Sequence, residues 1–118
     1  MSSTLFTPYK LGPVTLRNRT IRSAAFESMG KDFGPTRQLK DYHVAVARGG
    51  VGMTTLAYAA VCRSGLSFNK QLWLRPEIVP GLREITDAVH REGAAAAIQI
   101  GHCGNMTHWT TAGQMPIK

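Results

Sequence analysis

The sequence predicts an α/β fold with parallel strands, because strand-like apolar segments alternate with amphipathic helical segments along the chain. Two helical patterns end at glycines, and each is followed by a run typical of a buried strand. The second of these runs lies within residues 94–105 (AAAAIQIGHCGN), where the apolar residues stop at Gly101 and polar residues follow. Parallel α/β folds carry their chemistry at the carboxyl ends of strands, so we expect Gln99 and His102 to lie there.

The chain begins with a hairpin pattern. Two short alternating runs, Tyr9–Leu11 and Val14–Leu16, are joined by a Gly-Pro pair that is typical of turns. Residues 20–25 (TIRSAA) then predict a short strand, and residues 26–34 (FESMGKDFG) predict a loop. The first strand of the parallel sheet is therefore expected directly after the hairpin.

The first helix is predicted to begin after Thr36, a good N-cap residue. Its apolar positions follow helical spacing, and they are Leu39, Tyr42, His43 and Val46. A Gly-Gly pair at residues 49–50 ends the pattern, and residues 51–61 (VGMTTLAYAAV) predict a buried strand rich in β-branched residues.

Residues 62–78 read as a long connection without regular structure, and loops of that length are uncommon unless they are functional. The second helix is predicted over residues 80–92, with Pro80 in its first turn and Gly93 at its end. Its apolar stripe consists of Leu82, Ile85 and Val89. Residues 106–118 show no periodicity and are predicted to be a loop.

Composition narrows the class of protein. The chain has 118 residues, of which 43% are hydrophobic, and it lacks both an apolar run long enough to span a membrane and the apolar core of a secretion signal. We therefore expect a soluble, cytoplasmic protein without membrane contact. Two cysteines are too few for a disulfide framework.

The net charge of +7 does not by itself predict nucleic-acid binding, because the fourteen Lys and Arg residues are scattered along the chain. Three strands and two helices cannot close a barrel, so we expect residues 1–118 to be the N-terminal part of a longer protein. An acidic remainder of that protein would account for the excess of positive charge.

Three stretches together resemble one family. They are residues 5–24 (LFTPYKLGPVTLRNRTIRSA), residues 47–55 (ARGGVGMTT) and residues 80–105 (PGLREITDAVHREGAAAAIQIGHCGN). In this order they are similar to the FMN-dependent NADH:flavin oxidoreductases of the old yellow enzyme type. The resemblance covers nearly the whole chain.

The resemblance implies a (βα)8 TIM barrel with an N-terminal β-hairpin at its floor and FMN at its C-terminal mouth. Residues 1–118 would form the N-terminal portion of this single FMN-binding domain. It also implies an oxidoreductase in which NADH or NADPH reduces FMN, and FMN reduces an activated C=C bond of a small organic substrate. The substrate anchors and the proton donor would lie beyond residue 118, so the catalytic residues are unknown and this chain alone is expected to be inactive. The resemblance leaves open whether the protein forms a homo-oligomer.

Carried over residue by residue, the resemblance implies five flavin contacts from the ends of the first three strands. They are Ser23, Ala24, Ala25, Tyr58 and Gln99. Phe26 and His102 would neighbour the flavin or the substrate. Two departures from the family pattern are Phe26, where many relatives have Cys or Thr, and Asn105, where Arg is usual.

His102 and Cys103 also have structural explanations that involve no ligand. His102 could equally be a packed, hydrogen-bonded residue, and its sequence neighbour Cys103 is not expected to form a nucleophilic pair with it, since neighbours along a strand point to opposite faces. No metal is predicted, because a zinc site built from Cys62, His102, Cys103 and His108 would lack the paired spacing that structural zinc sites show.

Four charged residues near the N-terminus have ordinary explanations as well. Glu27 and Asp32 are predicted to lie in a solvated loop, rather than to work as an acid-base pair. Arg17 and Arg19 are predicted to face solvent or a salt bridge. The alternative to an enzyme is a truncated or degenerate product that acts as a small basic binding protein.

Overall fold

Two sheets organise the part of the chain that the structure, a computed structural model, describes, which is residues 3–116. The strands and helices, in chain order, are β1 (Tyr9–Leu11), β2 (Val14–Leu16), β3 (Ile21–Arg22), α1 (Arg37–Arg48), β4 (Met53–Ala60), β5 (Leu72–Trp73), α2 (Val79–Arg91), β6 (Ala95–Gly101) and α3 (Trp109–Ala112). Single 3-10 turns lie at Thr4–Phe6, Arg63–Gly65, Pro76–Ile78 and Gly104–Met106.

The smaller sheet is the predicted hairpin. Strands β1 and β2 pair antiparallel, with Tyr9 opposite Leu16 and Leu11 opposite Val14. Gly12 adopts a φ of +57° in the turn, a left-handed conformation that glycine reaches without steric cost. The strand bounds and the turn agree with the sequence prediction.

Strand β4 is the centre of the larger, parallel sheet. Strand β6 pairs with it from Met53 to Ala60, along one edge. The opposite edge is shared by β3, next to Met53, and by β5, next to Ala60. Because these strands are all parallel, β3, β4 and β6 deliver their carboxyl ends to the same side of the molecule. The predicted α/β alternation is confirmed.

Helix α1 begins where the sequence predicts it. The Thr36 side chain accepts a hydrogen bond from the Leu39 N–H group and so caps the helix. Leu39, His43 and Ala47 are buried, whereas Tyr42 is 37% exposed. The buried stripe is thus rotated slightly from the predicted one, because Tyr42 lies under the guanidinium of Arg22 instead of in the core.

Both helices pack on one face of the parallel sheet. The buried core cluster consists of Leu39, Ala47, Leu56, Ala59, Leu72, Ile85, Val89 and Ala94. In α2 the predicted positions Ile85 and Val89 are fully buried, and Leu82 is partly buried against the cluster. The apolar stripes of the two helices therefore fix the sheet that carries the strand ends.

Three predicted segments differ from the structure. The strand predicted over residues 20–25 is only two residues long, since residues 23–25 leave the ladder. The connection over residues 62–78 contains strand β5, and the loop predicted over residues 106–118 contains helix α3. Such two- and four-residue elements are too short for any periodicity. The last two residues of that loop lie outside the described residues.

Arg17 does not face solvent, and that prediction is wrong. Its guanidinium donates hydrogen bonds to the backbone carbonyls of Ala47 (2.5 Å), Val51 (3.1 Å) and Glu92 (2.7 Å). The Ala47 carbonyl lies in the last turn of α1, the Val51 carbonyl lies shortly before β4, and the Glu92 carbonyl lies just after α2. Arg17 therefore joins the ends of both helices below the sheet, whereas Arg19 is exposed over the ring of Tyr9.

The N-cap of α1 gives a first testable expectation. Thr36→Ala removes the oxygen that accepts from Leu39 and also a bond to the Met29 carbonyl, so we expect the protein to lose about 1 kcal/mol of stability. Urea unfolding measures the loss. Thr86→Ala, at a helix-interior hydroxyl that bonds only to the Arg83 carbonyl, is the control and should change stability by less than about 0.5 kcal/mol. Equal effects from the two variants would contradict the capping role.

Candidate active site at the carboxyl end of the sheet

A cavity of about 320 Å³ opens at the carboxyl ends of β4 and β6. Its lining residues are Tyr58, Gln99, Ile100, Gly101, His102, Cys103 and Met106. Three of the residues singled out by sequence, Tyr58, Gln99 and His102, are thus brought together. The cavity is where parallel α/β folds bind ligands.

Gln99 provides the open polar group of the cavity. It lies near the end of β6, it is exposed, and its side-chain amide forms no hydrogen bond with residues 3–116. A primary amide offers both donors and an acceptor. This side chain is therefore available for a ligand with a mixed donor and acceptor edge.

Tyr58 lies within an irregularity of β4. The pairing of β4 with β6 runs to Leu56 and resumes at Ala59, so Ala57 and Tyr58 lie in a bulge. The Tyr58 hydroxyl is 2.8 Å from Ser67 Oγ, and its ring meets the edge of Phe68 with centroids 6.2 Å apart. These contacts hold the Tyr58 side chain at the cavity wall.

Residues 23–26 run from the end of β3. Ser23 and Ala25 are exposed and Ala24 is half-buried, and none of the three lines the cavity. Phe26 is 70% exposed, and its ring lies 4.8 Å from that of Phe68. Phe68 thus links Phe26 to Tyr58 in one aromatic cluster. Small side chains beside exposed rings suit a flat ligand.

His102 is held by hydrogen bonds, although it is exposed. The Gly104 N–H group donates to Nδ1 at 3.0 Å, so the neutral ring carries its proton on Nε2, which lies 3.3 Å from Ser64 Oγ. Ser64 in turn contacts Cys62 Sγ at 3.1 Å. His102 thus lines the cavity and is anchored by hydrogen bonds, whereas its place beside a flavin or a substrate stays a prediction.

Glu27 is buried, which contradicts the prediction of a solvated loop. Its side chain is 3% exposed, while Asp32 in the same loop is exposed as predicted. One carboxylate oxygen lies 2.9 Å from Nε2 of the fully buried His43. The other accepts a hydrogen bond of 2.6 Å from the Ala57 N–H group and lies 3.4 Å from Arg22.

The environment of Glu27 favours the ionised form. Burial raises the pKa of the Glu27 carboxyl, but the hydrogen bond and charge of His43, the Ala57 N–H group and the charge of Arg22 together outweigh burial, so that the pKa lies below its usual value. His43 is held on its other side by Thr54, with Nδ1 and Oγ1 2.8 Å apart. Nothing local in the sequence signals this network, since its members come from β3, a loop, α1 and β4.

Comparison with known proteins shows the family to which the chain belongs. Residues 4–114 match the family model described as NADH:flavin oxidoreductase / NADH oxidase family. The chain belongs to this family. Proteins of this family use FMN as cofactor and reduced nicotinamide as electron donor, as the sequence resemblance implies.

Individual members of the NADH:flavin oxidoreductase family are similar over most of this chain. It is 48% identical over 85% of its length to 4,4'-dithiodibutanoate disulfide reductase of Rhodococcus erythropolis, covering 25% of that protein. It is 45% identical over 96% of its length to a probable N-methylproline demethylase of Rhizobium meliloti (strain 1021), covering 17% of it. The chain thus spans a quarter or less of these two relatives.

Solved structures give the fold. Morphinone reductase superposes with a TM-score of 0.85 and 26% identity, over 95% of this chain and 30% of that one. The old yellow enzyme homologue from Zymomonas mobilis superposes with a TM-score of 0.87 and 24% identity, over 97% of this chain and 32% of that one. The described residues therefore have the fold of the first part of a (βα)8 barrel with an N-terminal hairpin.

Two further observations concern metal ions and membranes. Within residues 3–116, no three His, Cys, Asp or Glu side chains come close enough to hold a metal ion together. No helix in the described part of the chain has the length and apolar character needed to cross a bilayer.

Proposed function

We propose that residues 1–118 form the N-terminal portion of a single FMN-binding barrel domain in an oxidoreductase that reduces an activated C=C bond of a small organic molecule. The observation that carries the proposal is the convergence of Tyr58, Gln99 and His102 on one cavity, in a chain matched by the family model over residues 4–114. Ser23, Ala24 and Ala25 are proposed as further flavin contacts, with Phe26 as a neighbour.

The side chains present fit a flavin. The free amide of Gln99 matches the donor and acceptor atoms on the polar edge of an isoalloxazine ring, and the Phe26–Phe68–Tyr58 cluster offers apolar surface to a flat ligand. When bound, FMN would supply the redox chemistry, namely hydride transfer between NADH or NADPH and the substrate. The protein residues bind and orient the ring and exclude water from it.

The test uses the full-length gene product. We expect the purified protein to bind FMN, to be yellow, and to be bleached by NADH or NADPH without oxygen. An electron-poor alkene should then restore the colour, with uptake of one proton for each hydride transferred. A full-length protein that stays colourless after reconstitution with FMN would refute the proposal.

Gln99 provides the sharpest variant for this proposal. Gln99→Leu keeps the size of the side chain but removes its hydrogen bonds, so we expect the dissociation constant of FMN to rise about tenfold, the cost of about one hydrogen bond. Fluorescence titration of the apoprotein with FMN measures it. Gln38→Leu, on an exposed position of α1, is the control and should bind FMN like the wild type.

One relative favours a second candidate substrate. The match to a disulfide reductase at 48% identity points to a small organic disulfide as the electron acceptor. Two electrons and two protons would convert its S–S bond into two thiols. Reoxidation of the reduced protein by 4,4'-dithiodibutanoate, compared with an electron-poor alkene at equal concentration, separates the two candidates.

The alternative of a small basic binding protein draws little support from the arginines. Arg17, Arg22 and Arg75 direct their guanidinium groups to backbone carbonyls of this chain. Arg37 and Arg48 lie beside Asp41 and Glu92. The first three guanidinium groups are therefore used within the fold, and the last two lie beside carboxylates that offset their charge.

A further inference from the structure

We propose that Glu27 is a positioning residue of the flavin site, which fixes the end of β3 against the end of β4. The inference rests on the proposed function, since its consequence is measured on bound FMN. Glu27 does not line the cavity, and its carboxylate bonds to His43, Ala57 and Arg22 rather than to a proposed flavin or substrate neighbour. It acts through the backbone of β4 and through its own loop.

The first step is the bulge in β4. Neither neighbouring strand pairs with Ala57 or Tyr58, so the Ala57 N–H group has no partner in the sheet. The Glu27 carboxylate accepts this N–H at 2.6 Å and sets the direction of the Leu56–Ala57 peptide group, one residue before Tyr58. A buried N–H group without a partner is costly, so the backbone conformation at Ala57 depends on this acceptor.

The second step is the loop that carries Glu27. Phe26, its neighbour, points outward and packs at a tilt against Phe68, and residues 23–25 connect it to β3. Anchoring Glu27 inward therefore fixes the whole segment of proposed flavin contacts. One carboxylate thereby sets the distance between that segment and Tyr58.

The third step is the reason why Glu27 itself is fixed. His43 in α1 holds one carboxylate oxygen of Glu27, and Arg22 in β3 holds the other. Both partners form a further hydrogen bond, His43 with the Thr54 hydroxyl and Arg22 with the Thr55 carbonyl. Every buried side-chain nitrogen and oxygen among residues 3–116 has a hydrogen-bond partner. Fully satisfied buried networks are rigid, as positioning requires.

The test is Glu27→Gln in the full-length protein. The amide keeps the volume of the side chain but loses the charge that His43 and Arg22 hold. We expect FMN to bind about tenfold more weakly, equivalent to about 1.4 kcal/mol, and the absorption maxima of bound FMN to shift. The spectral shift separates positioning from a loss of stability alone, which would leave the bound flavin unchanged.

Asp32→Asn is the matched control. It removes one negative charge from the same loop, at an exposed residue whose side chain forms no hydrogen bond within residues 3–116, and Asn tolerates its φ of +52°. We expect FMN affinity within about twofold of wild type and an unchanged flavin spectrum.

The outcomes are distinct. If the wild type binds FMN and Glu27→Gln binds it within about twofold as well, with the same spectrum, the positioning role is overturned and the proposed function stands. If the wild type itself cannot bind FMN, both fall. Should Glu27→Gln fail to fold, Arg22→Gln decides: weakening of about threefold with a spectral shift supports the role, and wild-type behaviour overturns it.

Discussion

Replacing Arg17 with Met is expected to lower the free energy of unfolding by about 3–5 kcal/mol, because three backbone carbonyls lose a charged donor at once. The carbonyls of Ala47, Val51 and Glu92 come from three separate segments, and no other side chain within residues 3–116 donates a hydrogen bond to any of them. Met retains much of the apolar stem, so the loss reports the hydrogen bonds rather than packing. Urea unfolding of the full-length protein measures it.

Arg19→Met is the matched control for this prediction. Arg19 belongs to the same segment, but its guanidinium is exposed and only lies over the Tyr9 ring, 5.0 Å from its centre. Exposed cation–π contacts contribute about 0.5–1 kcal/mol, so the control should lose no more than that. A loss from Arg17→Met that does not exceed the control would show that the helix ends do not depend on Arg17.

Local sequence signals predict most of the fold. The hairpin follows from alternation around a Gly-Pro turn, and α1 follows from Thr36 and the spacing of Leu39 and His43. Strand β6 follows from an apolar run after Gly93, whose φ of +85° ends the preceding helix. Each of these elements is long enough to show a period, or is marked by a residue with a particular backbone preference.

The polar interior is not predictable in the same way. Glu27 looks like a loop residue because its partners, His43 and Ala57, lie 16 and 30 positions further along the chain. Arg17 likewise looks exposed because its carbonyl partners lie 30 to 75 positions away. Hydrophobic periodicity carries no information on which buried polar groups meet. The resemblance predicts residues that would face the flavin, but not the network that supports them.

His43→Leu is expected to have the other large effect, a loss of about 3 kcal/mol near pH 7, because it removes a buried hydrogen-bond partner of the Glu27 carboxylate and leaves that charge undercompensated. The Leu side chain fills a similar space but cannot donate to Glu27 or bond to Thr54. His90→Leu, the same change at an exposed position of α2, is the control and should stay within about 0.5 kcal/mol.

The pH dependence distinguishes this loss from simple repacking. In the wild type the pKa of Glu27 is lower in the folded than in the unfolded chain, so its contribution to stability is complete above the unfolded pKa and disappears as the pH falls through the folded one. Without His43 the interactions that lower this pKa are weakened while burial still raises it, so Glu27 takes up its proton at higher pH. The stability difference between wild type and His43→Leu should therefore be largest near neutral pH and shrink in acid. Urea unfolding across that range measures it, and a difference that is constant with pH would mean that His43 acts by packing alone.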